Sequence, residues 1–366
     1  MVSANQANIK RVAILVENGF EDSEFQVPYK ALKLTTGVEV VVLGSQANAE
    51  YKGKQGKVVI KSNGTTTETG PETFDAVIVP GGMAPDMMRV NPNTVRFVQA
   101  AMSQGKIVAA VCHGPQVLIN GDLLRGKKAT GFISIRQDMV NAGAKYIDEP
   151  LVVDGNLITS RQPGDLAIFT TAILSRLGLG GKSAGLPDEN DREAQWWKLA
   201  DAWGGSTKSE IVGALNQALA GERYSCKTFE HDVEKASDPQ LRSLLQEMIQ
   251  NKQRHIQLLE DYLGLLGASD SLKAKAADTV AKIKSRVAGS DDAFLIRQTL
   301  EVIQKGVVDT FKLQTQLTDP VATAIFTRIE EDLARDERRV AELYRVHSGS
   351  AEIRSAQPVM GTVTGM

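Results

Sequence analysis

The sequence predicts an α/β sandwich with a mostly parallel sheet, followed by an all-α four-helix bundle. Three observations lead there. Near-continuous apolar runs alternate with amphipathic stretches from Arg11 to about Gly180, strand signals stop after Ser209, and four long segments with helical period then run to residue 346. A length of 366 residues suits two or three domains, and 42% hydrophobic against 23% charged residues is ordinary for packed globular cores.

The runs VAILV (12–16), VEVVVL (38–43), DAVIVP (75–80) and KIVAAV (106–111) are β-branched and unbroken, as strands covered on both faces require. Helical spacing over Phe25 to Leu34 and Thr94 to Met102 gives a β-α-β-α order, which implies right-handed crossovers. In LVVDGNLITS (151–160), Asp154-Gly155 between two apolar runs signals a hairpin, and Leu166 to Leu177 reads as a closing helix. Residues 1–180 are therefore taken as the first domain.

Residues 181–208 change composition. Trp196, Leu199, Ala200 and Trp203 fall at i, i+3, i+4, i+7, which predicts a short linker helix docked on its own domain. Helices are then expected at about 209–236, 239–264, 291–317 and 320–346, paired through Ser237-Asp238-Pro239 and Thr318-Asp319-Pro320. Such short joins make antiparallel neighbours. The long connection 265–290, with its own weakly amphipathic stretch, is the single-crossover arrangement of ferritin-like bundles, so 209–347 is read as a bundle domain. Residues 348–366, rich in Ser, Gly and Thr, are expected to be a mobile tail.

A formal charge of −2 without a long single-sign block argues against a nucleic-acid partner. The apolar run near the start ends at Glu17, too short for a signal sequence or a membrane span, and Cys112 and Cys226 form no CxxC or zinc spacing. A cytoplasmic protein without a membrane partner is expected.

The sharpest motif is IVAAVCHGPQVLI. A strand ends at Val111, Cys112-His113-Gly114-Pro115 makes the corner, and a helix begins at Gln116. A strand-to-helix elbow presents a nucleophile at the carboxyl end of a sheet on strained backbone. A helix N-terminus beside the thiol is expected to favour thiolate. The alternative for Cys112 is a buried small hydrophobe.

Together with ENGFEDSEF near the start and VPGGMAPD between, VCHGPQVLI resembles the PfpI family of intracellular proteases and amidases. That family lies in the superfamily of the Parkinson-associated deglycase, with the flavodoxin-like, class I glutamine-amidotransferase-like fold. The resemblance covers residues 9–180, including RQDMVNAGAKYIDEPLVVDGN and TSRQPGDL. It implies Cys112 as nucleophile, His113 as general base, and Glu21 as the acidic residue whose carboxyl meets the sulfur, with Asp22 and Glu24 as solvated alternatives. A carboxyl donating to a thiolate must be protonated, so burial has to raise its pKa. The amides of Gly81, Gly82 and His113 could face a developing oxyanion, against the alternative of an ordinary glycine turn. Asp86 stands where the family carries a Glu that reaches a neighbouring subunit's histidine; it is one methylene shorter. A homo-oligomer follows if that assembly is kept.

A thiolate beside an imidazole attacks a carbonyl, giving an acyl-enzyme from an amide or peptide, or a hemithioacetal from an aldehyde. The expected function is a stress-associated cysteine enzyme without a cofactor, either a peptidase or amidase, or a glyoxalase or deglycase acting on 2-oxoaldehydes or glycated groups. The competing expectation is a redox or stress-response interaction protein in which Cys112 is oxidised. The bundle is expected to serve assembly or partner binding.

Ferritin-like carboxylate bundles hold metal with a Glu on each of two helices and Glu-x-x-His on the other two. Here Glu222 and His255 fall on apolar stripes and Glu301 remains nearby, but Lys252 stands three before His255 and Arg339 three after Asp336. The helical half, 206–347, is read as a degenerate ferritin-like bundle with no metal.

Overall fold

Strands buried on both faces need long apolar runs, and the first half of the chain supplies them. The computed structural model describes residues 9–181, 184–191, 193–268 and 291–348. These residues divide into two compact units, one holding those up to Glu210 with Thr315–Val321, the other Ile211–Gln314 with those from Ala322 on.

Unit one opens with β1 (Lys10–Leu15), α1 (Asp22–Leu34) and β2 (Val38–Gly44), then the short β3 (Glu50–Lys52), β4 (Val59–Lys61) and β5 (Gly64–Thr65). Next come β6 (Ala76–Val79), α2 (Ala84–Val90), α3 (Pro92–Ser103), β7 (Ile107–Val111) and α4 (Pro115–Asn120). The strands β8 (Lys128–Ala129) and β9 (Lys145–Tyr146) flank α5 (Arg136–Asn141), and β10 (Leu151–Asp154), β11 (Leu157–Ser160), α6 (Leu166–Arg176) and α7 (Trp196–Ala202) complete the unit. Seven strands form one sheet in the order β10-β11-β7-β6-β1-β2-β5. All neighbours are parallel except β10 with β11, the hairpin expected at Asp154-Gly155.

Every residue of β6, and Val12 to Leu15 of β1, is buried, which is why these runs carry no polar alternation. Trp196, Ala200 and Trp203 join the same core. The β3–β4 pair and the β8–β9 pair had no sequence expectation: two- and three-residue strands built from Glu50, Lys52, Lys61, Lys128 and Lys145 are too short and too charged to show a period.

Unit two contains α8 (Lys208–Lys235) from Ile211 on, α9 (Pro239–Leu265), α10 (Asp292–Gln316) up to Gln314 and α11 (Pro320–Ser348) from Ala322 on. Its buried positions alternate by three and four. In α11 they include Ala322, Phe326, Ile329, Leu333, Asp336, Val340 and Leu343, with Thr323 and Asp332 beside them, and in α9 Leu241, Leu245, Met248, Lys252, His255, Leu259 and Tyr262, with Leu244 and Leu263 beside them. This spacing is the knobs-into-holes seam of a helical bundle, with Lys252, His255 and Asp336 at core positions. Asp238 caps α9 by accepting the Gln240 amide at 2.7 Å. The amphipathic stretch expected within 265–290 and the tail expected over 348–366 fall almost wholly on 269–290 and 349–366, outside the described residues. No described helix is long and apolar enough to cross a membrane.

Candidate active site

The chain leaves the adjacent strands β7, β6 and β1 at one edge of the sheet, and the three exits carry Cys112, Gly81-Gly82 and Glu21 to Glu24. The carboxyl edge is where parallel sheets place their ligand sites. Cys112 has φ +60°, a left-handed conformation that costs a non-glycine residue about 1–3 kcal/mol. Two backbone bonds hold it there: Cys112 N–H donates to Ser160 O at 3.0 Å and Phe132 N–H donates to Cys112 O at 2.9 Å.

The elbow is therefore present, but the sulfur is not exposed. Cys112 is only 7% accessible. Burial first, then the Glu24 and Glu21 carboxyls, push its thiol well above the ordinary value, and the Gly82 amide donating to sulfur opposes them only weakly. The expectation that the helix N-terminus would favour thiolate is corrected accordingly: α4 has six residues, and desolvation outweighs it.

Sequence reasoning assigned the sulfur's carboxyl partner to Glu21, and the structure gives that place to Glu24. Glu24 is fully buried, its Oε2 accepts the Gly81 amide at 2.7 Å, and its carboxyl bonds to the Cys112 thiol. Oε1 has no hydrogen-bond partner among the described residues. Burial, reinforced by Glu21, raises the Glu24 pKa to about 8. Glu21 precedes α1 and turns away: Oε1 accepts Gln55 Nε2–H at 2.9 Å, and Oε2 pairs with Lys54. Asp22, expected to be solvated, is also buried, and accepts the Gln55 and Val58 amides at 2.8 Å each. These two carboxylates clamp the β3–β4 loop against the site. The signal that marks Glu24 is its helical spacing with Val27, Pro28 and Ala31, all buried.

His113 Nδ1 lies 3.2 Å from Cys112 Sγ, its Nε2 lies 3.1 Å from Ser134 Oγ, and its ring stacks on Phe132. Burial and the Lys54 ammonium lower its pKa, against a weaker pull from Asp86, so the ring is neutral at pH 7. Ser134 and Phe132 had no sequence signal, since nothing in GFISIRQ marks residues that would orient a histidine ring.

The two glycines are fixed by space. A Cβ on Gly81 would stand 2.7 Å from Glu24 Oε2 and 2.8 Å from Cys112 Cβ; on Gly82, whose φ is +79°, it would stand 2.4 Å from Glu21 N. Gly81 does not offer a bare amide to an oxyanion, because Glu24 already takes it. The Gly82 amide faces sulfur, and the His113 amide has no acceptor among the described residues. Asp86 is 61% exposed on α2 and pairs with Arg89 at 2.7 Å, not with His113.

The DJ-1/PfpI family is matched over residues 10–176. The chain is 44% identical over 156 residues to deglycase PfpI of Pyrococcus furiosus, covering 92% of that protein and 43% of this one. It is 41% identical over 170 residues to protein/nucleic acid deglycase 2 of Escherichia coli, covering 98% and 46%. The chain belongs to the DJ-1/PfpI family. A crystal structure of a two-domain protein from Anabaena variabilis, with DJ-1/ThiJ/PfpI-like and ferritin-like domains, matches across both halves. Its TM-score is 0.89 at 62% identity, covering 93% of this chain and 97% of that one. Residues 210–312 match a domain of unknown function, DUF2383.

In the ferritin-like half the three sequence candidates separate. Glu222 and His255 meet in the bundle core with Nδ1 and Oε2 at 2.8 Å, whereas Glu301 lies exposed beside Arg297. Lys252 Nζ occupies the other oxygen of Glu222 at 2.8 Å. Burial disfavours a charged Glu222, but Lys252 and His255 hold its carboxyl below the ordinary value. Among the described residues no cluster could hold a metal ion.

Proposed function

We propose that unit one is a cysteine enzyme acting on small activated carbonyls, 2-oxoaldehydes and the groups they glycate, with Cys112 as nucleophile and His113 as its base. The observation that carries this reading is the imidazole nitrogen 3.2 Å from a sulfur held between the carboxyl of Glu24 and the amide of Gly82. For His113 to act as base, Nε2–H donates to Ser134 and the Nδ1 lone pair faces the thiol.

The thiol is protonated at rest, so attack and proton transfer occur together. Sulfur bonds to the carbonyl carbon as Nδ1 takes the thiol proton, and the carbonyl π pair moves to oxygen. That oxygen meets the amide of His113, then takes the proton back from the His113 ring, leaving a neutral hemithioacetal. Glu24, protonated below about pH 8, keeps negative charge away from the sulfur during attack. Small size of substrate is supported by the nearly covered sulfur, since a polypeptide needs an open groove on both sides of the scissile bond. The names of the deglycase relatives support the same class.

The exposed Asp86 suits the homo-oligomer expected from the family, in which a second copy completes the site, and the helical half then serves assembly. The test incubates the full chain and Cys112→Ala with methylglyoxal and, separately, with a fluorogenic peptide amide under reducing conditions. Cys112-dependent loss of methylglyoxal with formation of a hydroxy acid is expected. Cleavage of the peptide alone would move the assignment to amide hydrolysis, and turnover of neither would favour the redox reading of Cys112.

A further inference from the structure

Ferritin-like bundles hold metal between carboxylates and imidazoles on facing helices, and this bundle brings such groups together at one level of its core. Glu222 comes from α8, Lys252 and His255 from α9, and Asp332 and Asp336 from α11. All five are buried. Their bonding leaves a metal no place. Lys252 Nζ faces Glu222 Oε1 at 2.8 Å, and His255 Nδ1 faces Oε2 at 2.8 Å. The other ring nitrogen faces Asp332 Oδ2 at 3.1 Å, so the two carboxylates stand on opposite sides of one imidazole and cannot converge on a shared ion. Asp332 is further held by Arg335 at 2.8 Å, and Asp336 by Asn251 at 3.2 Å. Access is not the obstacle, because Glu222 and Lys252 border a cavity of about 840 Å³ whose other walls include Arg297, Glu301, Lys305 and Asp309.

We infer that the Lys252 ammonium is the resident cation of this bundle: it occupies the charge-balancing position that a metal holds in ferritin-like proteins, and the bundle folds around it without taking up metal. Lys252 lies at the core position between Met248 and His255, where an apolar residue would otherwise pack. A buried ammonium is tolerated there only because Glu222 pairs with it, and Glu222 is tolerated only with Lys252 and His255 on its two oxygens.

The test uses the full chain. The wild type and Glu222→Gln are incubated with excess Mn(II), or anaerobically with Fe(II), desalted, and assayed for metal; equal contents are expected, and metal present in the wild type but lost in Glu222→Gln overturns the inference. Helix melting followed by circular dichroism then compares Lys252→Met with the double variant Glu222→Gln/Lys252→Met. The single variant leaves a buried carboxylate short of a cation and is expected to melt roughly 10 °C lower, or not to fold, while the double variant recovers most of that loss. A single variant as stable as the wild type, or a double variant no more stable than the single, overturns it.

Discussion

The Nδ1 atom of His113 stands 3.2 Å from the sulfur of Cys112 although the two residues are consecutive in sequence. Adjacent side chains on a strand point to opposite faces, and the left-handed φ of Cys112 is what brings these two together. Replacing His113 by Ala should lower kcat/KM for the carbonyl substrate about 10²- to 10⁴-fold while the melting temperature stays within a few degrees. Ser134→Ala, which only frees the far ring nitrogen, should lower it less. Equal losses from the two variants would mean that orientation, not proton transfer, is what His113 contributes.

Lys54 offers a test of the electrostatics. Its ammonium is one of the causes holding the His113 pKa below the ordinary value, after burial. Removing a positive neighbour favours the imidazolium, so Lys54→Met should raise the His113 pKa and move the acid limb of the kcat/KM profile to higher pH. The loss of Glu21's partner works in the same direction, because an unpaired carboxylate also favours imidazolium. An acid limb that stays in place, or moves to lower pH, would remove Lys54 from this role.

The strands and the elbow were legible in sequence because each is written locally. Ala76 to Val79 has no polar residue to lose, and Asp154-Gly155 is a turn between two apolar runs. The sulfur's carboxyl partner was not, because Glu21, Asp22 and Glu24 are all buried and differ only in what the β3–β4 loop offers each. That loop gives Glu21 a lysine and a glutamine and gives Asp22 two amides, leaving Glu24 for Gly81 and the sulfur. Helical spacing marks Glu24 as buried, but partners 33 to 36 positions away decide which of the three carboxyls is left for the sulfur, and no local period encodes that. The helical half shows the same limit. The sequence reveals that Lys252 breaks the Glu-x-x-His pattern, but not that its ammonium fills the gap.

Gly82 should be intolerant of any side chain, whereas Gly155 serves as its control. Both have positive φ, but a Cβ on Gly155 meets nothing within 4 Å while one on Gly82 meets Glu21 N at 2.4 Å and Gly19 O at 2.5 Å. Gly155→Ala should cost about 1 kcal/mol from backbone conformation alone. Gly82→Ala adds a clash against backbone that cannot rotate away, and should cost about 2 kcal/mol or more. Chemical denaturation of the two variants measures the difference, and similar midpoints would show that the turn after β6 can shift.

Glu24 makes a prediction about stability and pH. Its carboxyl has a pKa of about 8 in the folded chain against an ordinary 4.5, so between those values the folded state holds a proton that the unfolded state has lost. Raising the pH through that window therefore favours unfolding, and the contribution levels off above pH 8. Glu24→Gln keeps an oxygen for the Gly81 amide and an N–H for the sulfur but does not titrate. Subtracting the unfolding free energy of Glu24→Gln from that of the wild type cancels the titrating groups that do not interact with Glu24. The remainder should fall steadily from pH 5 to pH 8. A remainder that is flat, or that rises, would mean that Glu24 is ionised in the native state, and the protonated carboxyl assigned to it beside Cys112 would have to be abandoned.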